Sequence, residues 1–503
     1  MGAITLLQNG LLATFTNADG PTATPAARRA DVLIDTDRIV QVAAANSIDA
    51  AALSPPAAQV IDCSNKWIAP GFVDTHRHLW MSVVEGHEDW TLAEYLAKLS
   101  WTTASVVDAD DVYIGELAGA LQALHGGTTT VVDHFHCANS PEHIKKAIEA
   151  ATESGLRCML CMARQSVPSS IDPLRFDNDS AISDMQVSML ESLAQIDAGK
   201  LTRDGRVTLG LAYDVLGLNP VEDKRIVTLA RSLNITPITA HFVGGPQAPA
   251  YGNKAHVWNN AGLLDGDIIF SHANGFTHRG GDENEWALLK NSGASIASTP
   301  EDELGMGHGG PVTYEAVRRG VKVGLGIDCK SIVSADMFPA MHSVLQWERG
   351  RIHALHAHTS PPKAVKYNAY SCASVFRLAT LGGAEAAHAA DRIGSIEPGK
   401  LADIVLYDAD SINLAGCTDP FKGIVIHATA QDVDLVMVNG TIVKKNGRLL
   451  PVVTSRGAEE WPKIAARLKT RIAGIQKRLA GTDLHARYDT VAKILHYDFA
   501  DEQ

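Results

Sequence analysis

The chain has 503 residues, of which 46% are hydrophobic and 20% charged, which is the composition of an ordinary globular protein. A formal net charge of −13 argues against a general nucleic-acid-binding protein, because such a protein needs a basic face. We expect no secretory signal and no membrane partner, since no basic N-terminal segment precedes a long apolar run and no apolar stretch has the length of a membrane span. Seven cysteines, an odd number in a long chain, predict reduced thiols and a cytoplasmic location.

Short strand-like segments at both ends of the chain predict one small β-domain. Residues 30–35 and 38–43 are apolar runs around a polar Asp-Thr-Asp turn, and residues 402–407 and 433–444 have the same strand-like character. The N-terminal segment has too few apolar residues for a large core of its own, so it needs a partner. We therefore expect residues 1–64 and 391–452 to pack together as a β-sandwich.

Between these segments, eight strand-like runs alternate with stretches that are long enough for helices. The runs are residues 67–76, 128–133, 156–163, 206–213, 236–241, 267–272, 295–299 and 322–328. Eight strands that alternate with helices favour a parallel barrel over a doubly wound sheet. The sequence thus predicts an α/β fold, a (β/α)8 TIM barrel at residues 65–390 that is inserted into the small flanking β-sandwich.

The last part of the chain, residues 453–503, is predicted to be a helical extension. Its apolar residues are spaced by three or four positions, so they form one face of a helix; they are Ile464, Leu468, Ile472, Ile475 and Leu479. Such a face needs a partner surface, and we expect it to dock on the barrel or on a second subunit. A homo-oligomer is therefore predicted.

Residues that can bind a metal ion or transfer a proton stand at the ends of several predicted strands. The first strand ends in His76 and His78, which are two residues apart and therefore point the same way, about 6–7 Å apart along the strand. His241, His272 and Asp328 end the fifth, sixth and eighth strands. Since barrel chemistry lies at the carboxyl ends of the strands, these side chains are candidates for one metal or acid–base site.

These residues lie in motifs that resemble the amidohydrolase superfamily, specifically its cytosine-deaminase and chlorohydrolase-like branch. The motifs are PGFVDTHRH (70–78), TAH (239–241), FSH (270–272) and GLGID (324–328), with further matches at GGTTTVVD (126–133) and TPEDELGMGHG (299–309). The resemblance extends over residues 1–450. It implies a distorted (β/α)8 barrel with a flanking β-sandwich, in agreement with the strand count.

The resemblance also implies the roles of the residues at the strand ends. His76, His78, His241 and Asp328 would hold one divalent metal ion, usually zinc or iron, and His272 would lie close by as a hydrogen-bonding or proton-transferring group. Three neutral imidazoles and one carboxylate leave room for a water molecule, whose pKa the ion lowers from about 15.7 toward about 7. Asp328 is then the expected base.

The number of metal ions follows from the fourth strand. Binuclear relatives carry a carboxylated lysine at the end of that strand, whereas residues 206–213 contain no lysine and are followed by Asp214. We therefore expect a single ion. Asp214 as a bridging carboxylate is the alternative.

One departure from the family pattern concerns the substrate. Deaminases of this branch carry a glutamate a few residues after the fifth-strand histidine, but His241 is followed by Phe-Val-Gly-Gly-Pro. Glu303, from the loop after the seventh strand, is a candidate replacement. His308 in the same loop and His136 after the second strand are candidates for substrate contact. Trp80 and other aromatic residues nearby would form a mouth that suits a flat ring.

The predicted function is a metal-dependent hydrolase that attacks a cyclic small molecule, heterocyclic or aromatic, at a C–N bond. Deamination and amide or lactam hydrolysis both fit. The missing glutamate keeps a second hypothesis open, a non-hydrolytic lyase such as a decarboxylase or a dehydratase on the same barrel. A catalytically inactive binding protein is disfavoured, because every expected metal ligand is present.

Overall fold

The fold is described by a computed structural model over residues 4–53, 58–171, 174–177, 179–195, 199–216, 219–244, 254–275 and 283–494. Its strands, in chain order, are β1 (Ile4–Leu12), β2 (Arg28–Asp35), β3 (Arg38–Ala44), β4 (Ala58–Asp62), β5 (Lys66–Pro70), β6 (Phe72–Arg77), β7 (Thr128–Phe135), β8 (Arg157–Arg164), β9 (Ser170–Ile171), β10 (Leu174–Arg175), β11 (Val207–Tyr213), β12 (Ile238–Phe242), β13 (Ile268–His272), β14 (Ser295–Ser298), β15 (Lys322–Leu325), β16 (Ile404–Asp408), β17 (Val433–Val438), β18 (Thr441–Lys445), β19 (Arg448–Leu449), β20 (Val452–Thr454) and β21 (Gly457–Glu459).

Helices connect the strands and cover the outside of the barrel. They are α1 (Leu92–Glu94), α2 (Ala104–Val106), α3 (Ala109–His125), α4 (Pro141–Ser154), α5 (Asp179–Ala194), α6 (Pro220–Ser232), α7 (Ala255–Asn260), α8 (Glu283–Ser292), α9 (Pro300–Gly305), α10 (Thr313–Arg319), α11 (Met337–Ala357), α12 (Cys372–Leu378), α13 (Leu381–Ala386), α14 (Pro420–Lys422), α15 (Trp461–Leu479) and α16 (Leu484–Ile494). A π-helical segment, Tyr95–Thr103, joins α1 to α2.

The centre of the molecule is a parallel barrel. Its strands are hydrogen-bonded in the order β15, β14, β13, β12, β11, β8, β7 and β6. The two ends of this sheet meet through backbone hydrogen bonds: the Asp328 amide donates to the His76 carbonyl at 2.9 Å, and the His78 amide donates to the Asp328 carbonyl at 3.2 Å. The predicted fold class, a distorted (β/α)8 TIM barrel with a flanking β-domain formed by the two ends of the chain, is confirmed; this domain, expected as a β-sandwich, is built on one main sheet in the described residues.

The first predicted strand, residues 67–76, is in fact two strands that meet at Gly71. β5 pairs with β1 and β16 in the flanking sheet, whereas β6 is the first strand of the barrel. At the junction, a Cβ atom on Gly71 would overlap the side chain of Thr129, and the Gly71 amide donates to the Asp403 carbonyl at 3.0 Å. A continuous apolar run hides this change of sheet, because both strands are buried on both faces.

The two ends of the chain build the flanking β-domain together. In the described residues its strands form one sheet in the order β19, β18, β17, β16, β5, β1, β2 and β3, with β4 paired to β1. This sheet has its own apolar cluster, which includes Leu7, Leu12, Val32, Ile34, Ile68, Ile404, Leu406 and Leu435. Since β5 lies in this sheet, the chain enters the barrel at Gly71; the division at residues 64/65 and 390/391 stays a prediction.

The C-terminal extension docks on the barrel. It begins with a hairpin of β20 and β21, and α15 then packs against α3 with Ile464, Leu468 and Ile475 buried. Arg471 contacts the carboxylates of Asp108 and Asp111, which form the capping box at the start of α3. α16 packs against the π-helical segment. Residues 495–503, part of the predicted extension, lie outside the described residues.

Two general expectations can be compared with the structure. All seven cysteines are free thiols, and six of them are buried. Among the described residues, none of the helices combines the length and the apolar character that crossing a membrane requires.

Replacement of Gly71 by alanine tests the junction between the two sheets. We expect Gly71→Ala to lower the free energy of unfolding by about 1–3 kcal/mol, because the new methyl group has to displace Thr129 in a packed interior. Denaturant unfolding followed by circular dichroism measures the change. Gly350→Ala is the matched control, since Gly350 lies in α11 with open space around its Cα. Equal stability of the Gly71 variant and the wild type would contradict the requirement for glycine.

Candidate functional site

Four side chains from three places on the barrel converge at the carboxyl ends of its strands. They are His76 and His78 at the end of β6, His241 in β12 and Asp328 after β15, and one potential ligand atom of each lies within 4.8 Å of the others. The Asp328 Oδ1 atom is 3.4 Å from Nε2 of His76 and 3.1 Å from Nε2 of His78. The structure thus brings together the four residues that the sequence singles out as metal ligands.

The outer nitrogens of the first two histidines are occupied by other groups. Nδ1 of His78 donates to the carbonyl of His134 at 2.6 Å, and Nδ1 of His76 lies 2.8 Å from Oγ of Ser271. Nε2 of His76 is buried and has no hydrogen-bond partner among the described residues. Burial holds the pKa of His76 well below its ordinary value, so the ring is neutral. A metal-binding imidazole requires a ring nitrogen of this kind, which is buried beside a carboxylate and whose lone pair has no hydrogen-bond donor.

The third histidine is oriented by Asp214. Nδ1 of His241 lies 2.8 Å from Oδ2 of Asp214, and the His241 amide donates to Oδ1 at 2.7 Å. Nε2 of His134 contacts the same carboxylate at 3.1 Å. Asp214 therefore lies on the outer side of the ring, where it leaves Nε2 of His241 to face the centre. This is the position of an orienting carboxylate rather than of a bridging ligand.

His272 completes the polar cluster. Its Nε2 lies 3.4 Å from Oδ2 of Asp328, and its Nδ1 lies 2.9 Å from Oγ1 of Thr299. Burial lowers the pKa of His272 to about 4, so the ring is neutral near pH 7. Both His272 and Asp328 have positive φ angles, 72° and 70°, which non-glycine residues rarely adopt. Such angles persist where the surrounding structure holds them, and they are concentrated at functional sites.

The donor set fits one divalent ion. Three imidazoles, of which His76 and His78 are buried and His241 is partly exposed, and a carboxylate are the nitrogen and oxygen ligands that zinc and iron accept in proteins. Burial raises the pKa of Asp328, but the neighbouring histidines, His76 before His78 and His272, together outweigh this effect; the net pKa lies well below its ordinary value, so the carboxylate is ionised.

Comparison with known proteins decides the family. A model of the amidohydrolase family matches residues 67–443, which is most of the chain. The chain belongs to the amidohydrolase family. The resemblance drawn from its motifs is therefore confirmed.

Two sequence relatives of this amidohydrolase are named as deaminases. A 5-methylthioadenosine/S-adenosylhomocysteine deaminase of Acetivibrio thermocellus is 26% identical over 78% of this chain and 84% of its own length. A 5'-deoxyadenosine deaminase of Methanosarcina mazei is 25% identical over 82% of this chain and 89% of its own.

Solved structures resemble the amidohydrolase in fold. A zinc-bound adenosine deaminase from Xanthomonas campestris superposes with a TM-score of 0.76 at 22% identity, covering 94% of this chain and 99% of its own. A zinc complex of atrazine chlorohydrolase from Arthrobacter aurescens superposes with a TM-score of 0.73 at 20% identity, covering 93% of this chain and 100% of its own. At these identities the similarity supports the fold alone.

A cavity of about 230 Å³ opens onto the polar cluster of the amidohydrolase. Apolar side chains form much of its wall, among them Leu92, Tyr95, Leu96, Trp101, Val243 and Met306. Tyr95, Leu96 and Trp101 belong to the π-helical segment, against which α16 packs. The cavity has room for a small ring compound. Residues 245–253 and 276–282, which follow β12 and β13, lie outside the described residues.

Two of the predicted substrate contacts line this cavity and two do not. His136 and His308 are part of its wall. Trp80 is fully buried behind His136, to whose Nδ1 its indole N–H donates at 3.0 Å. Glu303 is fully buried behind His272, with Oε1 3.7 Å from Nδ1 of that ring. Trp80 and Glu303 therefore lie one layer away from the space that a substrate would occupy.

Glu303 is held in this second layer by the start of α9. Its Oε1 accepts a hydrogen bond from the Thr299 amide at 2.8 Å, and both of its carboxyl oxygens lie 3.3 Å from Oγ of Ser298. Burial raises the pKa of Glu303 to about 8. In this position the carboxylate of Glu303 approaches Nδ1 of His272 and does not line the cavity.

Sequence reasoning missed part of the site. From the sequence, Asp214 is a candidate only as an alternative bridging carboxylate, whereas it contacts Nδ1 of His241 as an orienting group. Tyr95 and Leu96 line the cavity from a segment without a strand-end signal. One indication was available: Thr91 and Glu94 form a capping box that starts a helical segment in the connection between β6 and β7.

Removal of the Asp214 carboxylate tests the orientation of His241. We expect Asp214→Ala to weaken metal binding about 10- to 100-fold, because the ring loses the partner that holds Nε2 toward the centre. Competition with a chromogenic chelator measures the affinity, and elemental analysis measures the metal retained. Asp410→Ala, at an exposed aspartate remote from the site, is the control. Unchanged affinity in the Asp214 variant would show that His241 needs no such partner.

Proposed function

We propose that this protein is a hydrolase that uses one divalent metal ion, zinc in the first instance, to break a C–N bond in a small nitrogen-containing ring compound. The observation that carries the proposal is the convergence of three imidazoles and the ionised Asp328 on one point, at the floor of a cavity of about 230 Å³. Membership of the amidohydrolase family supports it.

The residues of the site divide the chemistry between them. A bound divalent ion acts as a Lewis acid and brings the pKa of water from about 15.7 toward about 7. Asp328 is the base, because its carboxylate reaches the centre and can take a proton from the attacking water and return it to the departing nitrogen. His272, fixed through Nδ1 by Thr299, presents Nε2 3.4 Å from that carboxylate and stabilises charge that develops beside it.

Hydrolysis is preferred to the non-hydrolytic alternative on the strength of the relatives. The named sequence relatives are deaminases of adenosine derivatives, and the structural relatives include an adenosine deaminase and an atrazine chlorohydrolase. Each of these names denotes replacement of a substituent on a nitrogen heterocycle. We propose deamination of such a ring as the first activity to be tested, and amide or lactam opening as the second.

Two expectations from the sequence are carried forward as part of the proposal. A cytoplasmic location is supported by the seven free thiols. Assembly into a homo-oligomer would need another surface, because the apolar face of α15 that motivated this prediction packs on α3 of the same chain.

The role of Asp328 is tested by an isosteric change. We expect Asp328→Asn to lower kcat about 10³-fold, since a carboxamide cannot accept the proton. Steady-state kinetics and metal analysis of the same preparation separate loss of the base from loss of the ion. Asp391→Asn, at an exposed aspartate, serves as the control. If the Asp328 variant kept most of the wild-type rate while retaining metal, another residue would have to be the base.

The reaction type is tested with a panel of compounds in labelled water. We expect ammonia release from at least one of adenosine, 5'-deoxyadenosine, 5'-methylthioadenosine, cytosine and melamine, with one atom of ¹⁸O in the product when the reaction runs in H₂¹⁸O. A chelator should abolish the release and added zinc should restore it. Product without the label would refute hydrolysis in favour of a lyase, and full activity without metal would refute the metal site.

A further inference from the structure

The loop that follows α9 is shaped to hold one histidine. Gly307 and Gly309, on either side of His308, have positive φ angles of 80° and 117°, which glycine adopts without strain. The His308 amide donates to the carbonyl of Glu303 at 3.1 Å. A Cβ atom on the next residue, Gly310, would overlap the ring of Trp347. The Gly-His-Gly-Gly run thus gives this loop a conformation that other residues could not easily adopt.

His308 is buried at the wall of the cavity, beside the reacting groups. Its side chain is 2% exposed, and its ring stands edge-on to His272 with a centroid distance of 4.8 Å and an interplanar angle of 88°. His272 in turn contacts Asp328. A molecule that fills the cavity would therefore meet His308 and the base Asp328 at neighbouring points.

Both ring nitrogens of His308 are buried without a hydrogen-bond partner among the described residues. The other histidines of the cavity differ in this respect. His136, for example, accepts from the indole N–H of Trp80 through Nδ1 and pairs with Oη of Tyr95 through Nε2 at 3.2 Å. A buried polar group that lacks partners is costly, and when it faces a cavity the missing partners are expected on a ligand or on water.

We infer that His308 is a substrate-binding residue that determines specificity: its imidazole pairs with a ring nitrogen or an exocyclic polar group beside the carbon that is attacked. The inference rests on the proposed function of the same site. It adds the substrate class, a flat neutral heterocycle with a hydrogen-bonding edge, and it names the side chain that recognises this edge.

The protonation state of His308 agrees with this role. Burial, together with the neighbouring His272, holds the pKa of His308 well below its ordinary value, so the ring is neutral near pH 7. A neutral imidazole offers one N–H donor and one lone pair. Since the N–H and the lone pair point in different directions from the ring, His308 can offer either a donor or an acceptor to the edge of a substrate such as an amidine or a lactam.

The test compares binding with turnover in the metal-loaded full-length protein. Calorimetry with adenosine, cytosine and melamine first identifies a compound that binds the wild type. For this compound we expect His308→Phe, which keeps an aromatic ring but removes both nitrogens, to lower affinity and kcat/KM roughly 10- to 100-fold. His308→Asn or His308→Gln, which place an amide near Nδ1 or Nε2, should recover most of the loss in one of the two variants. Metal content should be unchanged throughout, and His358→Phe, at an exposed histidine, should behave as the wild type.

Replacing a ring nitrogen of the ligand by carbon tests the contact with His308 directly. If His308 had a purely structural role, its substitution would not change the relative affinity for the two ligands. The wild type should prefer the parent ring to its deaza analogue, and His308→Phe should lose this preference. Equal affinity of wild type and His308→Phe for the parent ring would overturn the inference, and so would failure of every compound to bind the wild type. If binding depends on His308 but no product forms, the inference stands and the proposed hydrolysis fails. If His308→Phe turns over the parent ring at the wild-type rate, the proposed hydrolysis stands and the inference fails.

Discussion

Closure of the barrel and assembly of the site depend on the same backbone hydrogen bonds. The amides of Ile327 and Asp328 donate to the carbonyl of His76, and the amide of His78 donates to the carbonyl of Asp328. The residues that join the last strand to the first therefore carry three of the four candidate ligands. An open sheet would separate Asp328 from the two histidines, so the donor set exists only in the closed barrel. The site therefore depends on closure of the barrel and not on the conformation of any one loop.

Burial of so many polar groups is tolerable because most of them have defined partners. The candidate ligands His76, His78 and His241 each use Nδ1 toward Ser271, the His134 carbonyl or Asp214. This layer removes the freedom of the rings to turn, and it leaves one nitrogen of each facing the centre. The ionised Asp328 places negative charge at the centre, which favours a cation.

The strand ends could be predicted from the sequence because their signal is short-range. A buried strand is an apolar run, and a polar residue at its end stands out, as His241 and His272 do. The break at Gly71 could not be predicted, because both of the strands that it separates are apolar and only the approach of Thr129 requires glycine. The position of Glu303 behind His272, instead of in the cavity, depends on the direction of a short helix, and residue spacing does not specify that direction.

The groups that the sequence predicts and the groups that it does not predict differ in the function they can serve. Groups at strand ends activate water in much the same geometry whatever the ring that is attacked, since the barrel holds them. Selectivity has to come from side chains that touch the rest of the substrate, and the candidates on the cavity wall include the segment Tyr95–Thr103 and the glycine-flanked His308. Both lie on irregular backbone, a π-helix and a loop with positive φ angles, whose conformation is determined by contacts with other parts of the chain. Substitutions in these segments can therefore change the preferred ring while the groups that activate water remain in place.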